Sequence, residues 1–280
     1  MKRQNKYKSL ENTITRAMKI SVIIGFYKKL DFLSLVLQGL ALQTFRDFEV
    51  LIAEDNNDPN TFAFIKNHQS IINFPLKVVQ QEDLGFRKNR ILNKAIQQST
   101  GEVLVFFDGD CIPHKECLKE HYLNTEEKGI LSGRRVLLSE SLTKKLLLSN
   151  LYQSISLADL VFSRSKHVEE SIYLPYSWIP KKKNRGLLGC NFSLRKKALL
   201  DINGFDEDYQ KAGVGEDSDI EWRLLKMGYT INPIKFKAIV YHLFHGANYE
   251  EDDVQFNAKI MLAKEHIGNT FCTNGLTNHE

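Results

Sequence analysis

Glycine-rich phosphate loops are missing from this 280-residue chain. Neither the dinucleotide fingerprint nor a P-loop occurs in it. Any phosphate bound here must therefore be neutralised by basic side chains and a metal. Cysteine is scarce too. Of the four, only Cys111 and Cys117 are close, and their spacing fits no zinc or redox motif. Free thiols in a reducing compartment are the expected state. No apolar run approaches the ~20 residues that span a bilayer. The basic first residues are not followed by the apolar stretch of a secretory leader. A cytoplasmic protein is expected, with peripheral contact at the inner face of the cell membrane left open. Internal repeats and low-complexity tracts are also absent.

What is present is the composition of a soluble globular protein, with 42% hydrophobic and 26% charged residues. The length can bury a sizeable core, as one large domain or two small ones. The net charge of +4 is mild and no nucleic-acid partner is expected. Two basic blocks stand out, Lys2, Arg3, Lys6 and Lys8 at the start and Lys181, Lys182, Lys183 and Arg185 later. Each reads either as a solvated segment or as a contact for phosphates or an anionic membrane.

The first half alternates strand and helix. Apolar runs at 19–26, 48–53, 76–80 and 102–107 read as buried strands. Helical spacing appears at 30–43, where Asp31 is a candidate cap, near 61–70 and at 88–98. This alternation predicts a parallel sheet with helices on both faces. Polar residues collect at the strand ends: Tyr27 and Lys28, then Glu54 and Asp55, then Asp108 and Asp110. Ligands of open α/β sheets bind at that edge. In Asp108-Gly109-Asp110 the paired carboxylates are hard oxygen ligands suited to a divalent cation holding phosphates. Alone, the tripeptide reads more simply as a solvated turn.

The second half is less regular. Residues 141–163 read as one helix, core-facing in preference to an interfacial helix meeting membrane or a lipid-linked acceptor. Residues 165–185 read as an irregular loop of the kind that covers active sites. An acidic cluster, Glu216, Asp217, Asp219 and Glu221, opens a helix with Ile220, Leu224 and Leu225 inward. The helix dipole accounts for some of these acids, and one is a candidate general base. His242 and His245 follow an apolar strand at 238–241, either as structural residues or as ligands completing a metal site with the aspartates. No convincing Ser–His or Cys–His arrangement occurs.

Taken together, these segments resemble family 2 glycosyltransferases of the GT-A fold. The first half does so in Ser21-Val22-Ile23-Ile24, in Gln43-Thr44-Phe45-Arg46-Asp47-Phe48-Glu49-Val50 and in Phe106-Phe107-Asp108-Gly109-Asp110. The second half resembles the catalytic segment of β-1,4-galactosyltransferases and bacterial chondroitin-polymerase-type enzymes. It does so in Gly189-Cys190-Asn191-Phe192-Ser193, Asn203-Gly204-Phe205-Asp206, Gly215-Glu216-Asp217-Ser218-Asp219 and Arg223-Leu224. The resemblance implies an α/β fold with a Rossmann-like nucleotide-binding half, a mostly parallel sheet and an acceptor-binding half. It implies a basic tail at 1–17, a single GT-A domain at 18–250 divided at 135/136, and an extension at 251–280.

The same resemblance implies residue roles. Asp55 would hydrogen-bond uracil and Tyr27 would lie against base or ribose. Arg87, or Arg90 if the register slips, would contact the donor, with Gly189 and Asn191 also on the donor side. Asp108 would bind ribose or metal. Asp110 and His245, with His242 as a further ligand, would hold manganese or magnesium. Asp217 would deprotonate the acceptor hydroxyl, and Glu216 would hold a sugar. The implied activity is inverting, metal-dependent transfer of a hexose or N-acetylhexosamine. The donor would be a UDP-sugar and the acceptor a saccharide or lipid-linked saccharide, in surface polysaccharide or lipopolysaccharide biosynthesis. One departure concerns the acceptor: Lys211-Ala212-Gly213-Val214-Gly215 lacks the tryptophan of the related enzymes. Two alternatives are a sugar-phosphate nucleotidyltransferase and a non-catalytic nucleotide- or carbohydrate-binding module. The first should carry a glycine-rich basic signature, of which Gly25-Phe26-Tyr27-Lys28-Lys29 is a poor version.

Overall fold

The computed structural model describes residues 19–175, 186–246 and 250–279. The basic blocks at 2–8 and 181–185, and the end of the expected 165–185 loop, lie outside the described residues. Four parallel strands form the first half: β1 (Ile20–Phe26), β2 (Phe48–Glu54), β3 (Leu76–Gln80) and β4 (Val103–Asp108). Helices α1 (Leu30–Ala41), α2 (Pro59–Asn67) and α3 (Lys88–Gln98) connect them.

The faces of β1 explain the two-sided core, because alternate residues point to opposite sides. Val22, Ile24 and Phe26 join the cluster that contains Leu33, Val36 and Leu40 of α1. Ile23 joins Leu51, Ala53 and, on α3, Ile91 and Ala95. A strand buried on both faces must be apolar throughout, which is the pattern of the sequence.

The sheet then departs from a purely parallel one. β8 (Asn191–Arg195) adds antiparallel to β4, followed by β6 (Gly129–Ser132) and β9 (Thr230–Pro233). The seven-stranded order is β3-β2-β1-β4-β8-β6-β9. A second, three-stranded sheet places β10 (Ile239–His242) between β5 (Cys111–Pro113) and β7 (Arg134–Leu137). Its β10–β5 register pairs His242 with Cys111, which brings the late histidines to the Asp108-Gly109-Asp110 turn.

Three local expectations are corrected. Asp31 does not cap α1; Lys29 takes that position, because the Tyr27–Lys29 turn, with Lys28 at φ 60, starts the helix earlier. Residues 141–163 are two helices, α5 (Glu140–Ser149) and α6 (Leu157–Phe162). Asn150 breaks them apart at φ 43 in the left-handed region, a conformation that asparagine tolerates. In α8 (Asp217–Lys226), Ile220 and Leu224 are buried as expected but Leu225 is exposed. The remaining α-helices among the described residues are α4 (Cys117–Leu123), α7 (Lys196–Asp201) and α9 (Glu251–Ile267). Residues after α9 pack inward, with Cys272 and Leu276 buried and Gln97 of α3 donating to the Leu276 carbonyl.

Candidate active site

The parallel strands bring Tyr27, Asp55 and Asp108 to one edge of the sheet. Asp55 is buried; its backbone N–H donates to the Phe26 carbonyl at 3.0 Å. Its carboxylate accepts from Gln81 Nε2 and from the Arg87 backbone N–H, each at 2.7 Å. Tyr27 is 51% exposed, and Lys28 Nζ lies 4.5 Å from its ring centroid. The Arg87 guanidinium folds back to the Glu82 carbonyl, and Arg90 is exposed. Thus Arg87 touches the Asp55 corner through its backbone, and Arg90 is not brought to it.

The Asp108-Gly109-Asp110 turn is pinned from two sides. Gly109 N–H donates to the Gly25 carbonyl at 2.8 Å, and Leu243 N–H donates to the Asp110 carbonyl at 2.9 Å. The second contact delivers the histidines: His245 Nε2 lies 2.9 Å and His242 Nε2 3.6 Å from the Asp110 carboxylate. Burial opposes ionisation of Asp110, but the His245 hydrogen bond and both imidazoles overcome it and hold the carboxyl down at about 2. His245 is raised by its hydrogen bond to Asp110, whereas burial lowers His242 despite the same neighbour.

Asp110, Cys111 and His242 each aim a ligand atom within 4.8 Å of the others. Burial, reinforced by Cys190, pushes the Cys111 thiol well up, so it stands as a protonated neighbour. Asp110 and His242 offer an oxygen and a nitrogen ligand, a donor chemistry that fits manganese or another borderline divalent ion, and His245 stands 2.9 Å from the same carboxylate without belonging to that converging group. The residues present therefore fit the implied metal.

Opposite this cluster lies a narrow cleft lined by Lys88, Asp108, Gly189, Glu216 and Asp217. Lys88 Nζ bridges Asp108 Oδ1 at 2.7 Å and Glu216 Oε1 at 2.8 Å. Burial would lower the Lys88 ammonium, but the two carboxylates hold it well above its ordinary range. Burial raises Glu216 to about 7; Lys88 opposes that rise, and the charges of Asp108 and Asp217 add to it. Asp217 sits at the first turn of α8, where the helix dipole favours a carboxylate. Its Oδ2 accepts from Gly189 N–H at 2.9 Å and its Oδ1 from Ser218 N–H at 2.7 Å. Gly189 leaves room for its neighbour: a Cβ there would stand 2.6 Å from Glu216 Oε1.

The acidic cluster of α8 divides into two pairs. Glu216 and Asp217 face the cleft. Asp219 instead forms a buried ion pair with Arg223, whose Nε donates to its Oδ2 at 2.7 Å. Arg223 also donates to the Ile202 and Gly204 carbonyls, and Tyr209 and Trp222 donate to Asp219. Glu221 accepts from the Leu187 N–H at 2.7 Å. The Asn203-Gly204-Phe205-Asp206 motif likewise ties α3 to the segment leading into α8: Asn93 accepts from Phe205 N–H and Asn89 donates to the Asp206 carbonyl. Asn191 stays out of the cleft. It is buried, and its amide donates to the Arg134 and Ala238 carbonyls, while its Oδ1 meets His121 at 3.0 Å.

Lys88 is the site residue that the sequence reading missed. It lies in Arg87-Lys88-Asn89-Arg90, where three cations within one helical turn compete for the role. The available signal is phase. Lys88 and Leu92 are i and i+4 on α3, and Leu92 also lines the cleft. Beside the cleft, a cavity of about 300 Å³ is bounded by Leu84, Phe86, Arg87, Gln210, Lys211 and Asp253. Lys211 and Ala212 on its wall belong to the stretch that lacks the tryptophan of the related enzymes.

Comparison with known proteins identifies the family and the fold. Residues 21–199 match the model of glycosyl transferase family 2. Residues 174–246 match that of the N-terminal domain of galactosyltransferase. The chain is 24% identical to chondroitin synthase of Escherichia coli over 242 residues, covering 80% of this chain and 34% of that protein. It is 32% identical over 105 residues to the poly(ribitol-phosphate) beta-N-acetylglucosaminyltransferase TarS of Staphylococcus aureus, covering 37% of this chain and 18% of TarS. The chain thus spans about a third or less of these relatives. A structure of S. aureus TarS 1-349 in complex with UDP superposes with a TM-score of 0.59 at 20% identity, covering 88% of this chain and 65% of the other. A mannosyltransferase from Pyrobaculum calidifontis in complex with GDP-Man and Mn2+ gives 0.59 at 16% identity, covering 89% and 64%. Fold and family model agree: the chain belongs to glycosyl transferase family 2 and has the GT-A fold.

Proposed function

We propose that this protein is an inverting glycosyltransferase that moves a hexose or N-acetylhexosamine from a UDP-sugar to a saccharide hydroxyl. The observation that carries this reading is the convergence of two groups on one sheet edge. Asp110 lies between His242 and His245, and across the Asp108 turn Lys88 and Glu216 stand beside Asp217. Relatives support the donor class, since TarS has been solved with UDP and with UDP-GlcNAc. A divalent ion, manganese or magnesium, held by Asp110, His242 and His245 with Asp108 nearby, would supply positive charge for the leaving diphosphate.

The chain's own residues account for the remaining chemistry. Tyr27 offers an exposed ring against the nucleoside, and Asp55 offers acceptor oxygens to a uracil N–H. Lys88 turns from Asp108 and Glu216 toward the diphosphate, adding a cation where charge develops. Asp217, oriented by Gly189 N–H, takes the proton of the acceptor hydroxyl. The hydroxyl oxygen bonds to the anomeric carbon as the bond from that carbon to the phosphate oxygen breaks. The leaving UDP keeps that electron pair, and the single displacement inverts the centre. Glu216 hydrogen-bonds a sugar hydroxyl once Lys88 has turned away.

A surface polysaccharide or lipopolysaccharide is the product class we assign, and a reducing compartment is consistent with four free, buried thiols. The test is UDP release from a panel of UDP-sugars with manganese and candidate saccharide acceptors. Acceptor-stimulated release from one donor supports the assignment. Release from none of them, with GDP- or dTDP-sugars active instead, would replace the donor class.

A further inference from the structure

The segment at 140–167 carries more exposed apolar surface than an ordinary helix pair. Leu148 is 89% and Phe162 87% exposed, and Leu151, Leu157 and Val161 are also more than half exposed. Isolated surface leucines are common, but five large apolar residues within one short segment mark an interaction surface. Helical spacing groups them: Leu157 and Val161 are one turn apart on α6, and Leu148 stands one turn beyond Lys144 on α5. The opposite side is anchored. Leu142, Leu146, Tyr152 and Leu160 are buried, and Asn150 accepts hydrogen bonds from Ser34 and Gln38 of α1. The exposed side chains therefore project from a fixed platform.

We propose that the outer surface of α5 and α6 docks on an anionic lipid bilayer, beside the mouth of the active site. Charge selects that occupant. Lys144, Lys145, Arg164 and Lys166 are exposed around the apolar residues. Glu140 and Asp159 pair with Lys144 and Lys145. Arg164 and Lys166 have no ion pair among the described residues, which leaves a positive excess. A positive rim around apolar side chains matches anionic headgroups over acyl chains. The same excess repels a second copy of the chain. The surface is also continuous with the site. Thr143 of α5 accepts from Phe244 N–H at 2.9 Å, and Leu138, just before α5, donates to the His242 carbonyl at 2.9 Å. Phe244 is itself 47% exposed, between the two histidines of the metal cluster. Docking through α5 and α6 thus presents the cleft to an acceptor carried on the membrane surface.

The test is sedimentation of the full chain with two vesicle types, phosphatidylcholine alone and phosphatidylcholine mixed with phosphatidylglycerol. The wild-type chain should sediment with the anionic vesicles and only weakly with the neutral ones. The Leu148→Glu/Phe162→Glu variant should bind the anionic vesicles about tenfold or more weakly, as should Arg164→Glu/Lys166→Glu. Both variants should retain the thermal midpoint and UDP affinity of the wild type, since these residues lie outside the site. Equal sedimentation of wild type and variants overturns the proposal, as does no sedimentation with anionic vesicles. A dimer in light scattering that Leu148→Glu/Phe162→Glu dissociates, with no vesicle recruitment, would overturn it in favour of a second copy.

Discussion

Among single residues, Asp217 and Lys88 have the most to explain. Asp217→Asn keeps the shape and, with its single amide oxygen, one of the two backbone hydrogen bonds, but cannot take a proton. Its turnover should fall by about 10²–10⁴-fold while UDP affinity stays near that of the wild type. Wild-type turnover would remove Asp217 as the base. Lys88→Ala leaves Asp108 and Glu216 facing each other without their shared cation. Its donor kcat/KM should drop by about tenfold or more, with partial recovery in Lys88→Arg, which keeps the charge. An equal loss in both variants would indicate a purely steric role. Asp217 is singled out in the sequence by its place in the Gly215-Glu216-Asp217-Ser218-Asp219 motif. Lys88 is not, because Arg87, Lys88 and Arg90 are chemically alike and only the phase of α3 turns one of them inward.

At the scale of elements, α8 shows how acids of similar sequence context divide between structure and chemistry. The Asp219–Arg223 pair fixes α8 against the Ile202–Gly204 turn and so sets the direction in which Glu216 and Asp217 enter the cleft. Arg223→Ala leaves Asp219 buried without its cation. It should cost about 3–5 kcal/mol in urea denaturation. A loss below about 1 kcal/mol would mean that this network contributes little to stability. The strands and helices of the first half follow from their hydrophobic periods, and Leu76–Gln80 and Lys88–Gln98 match the expected bounds. The division of 141–163 does not, since it depends on a left-handed Asn150 held by Ser34 and Gln38 from a distant helix.

For the whole molecule, the arrangement that makes the site is long-range strand pairing. Antiparallel β8 beside β4 and the separate β5-β10-β7 sheet join residues far apart in the chain, and local pattern does not specify such partners. The family resemblance supplied the grouping of Asp110 with His242 and His245, and the register of β10 against β5 supplies its physical reason. Global stability also carries a signature of the cleft. Glu216 is raised from 4.5 to about 7 in the folded protein. Between those values the folded state holds a proton that the unfolded state has lost, so this group's contribution to stability falls as pH rises from about 4.5 to about 7. In metal-free protein, urea denaturation across that range should show a smaller decline for Glu216→Gln than for the wild type. Parallel curves would contradict the buried, proton-holding Glu216 described here.

The central claim is that Asp110 and its histidines make nucleotide binding depend on a divalent metal. Calorimetric titration of UDP, with and without manganese, into the wild type and Asp110→Ala tests it most directly. The account predicts tight binding only for the wild type with manganese, and a loss of at least about tenfold when either is removed. UDP affinity that is unchanged without metal, or unchanged in Asp110→Ala, would contradict it.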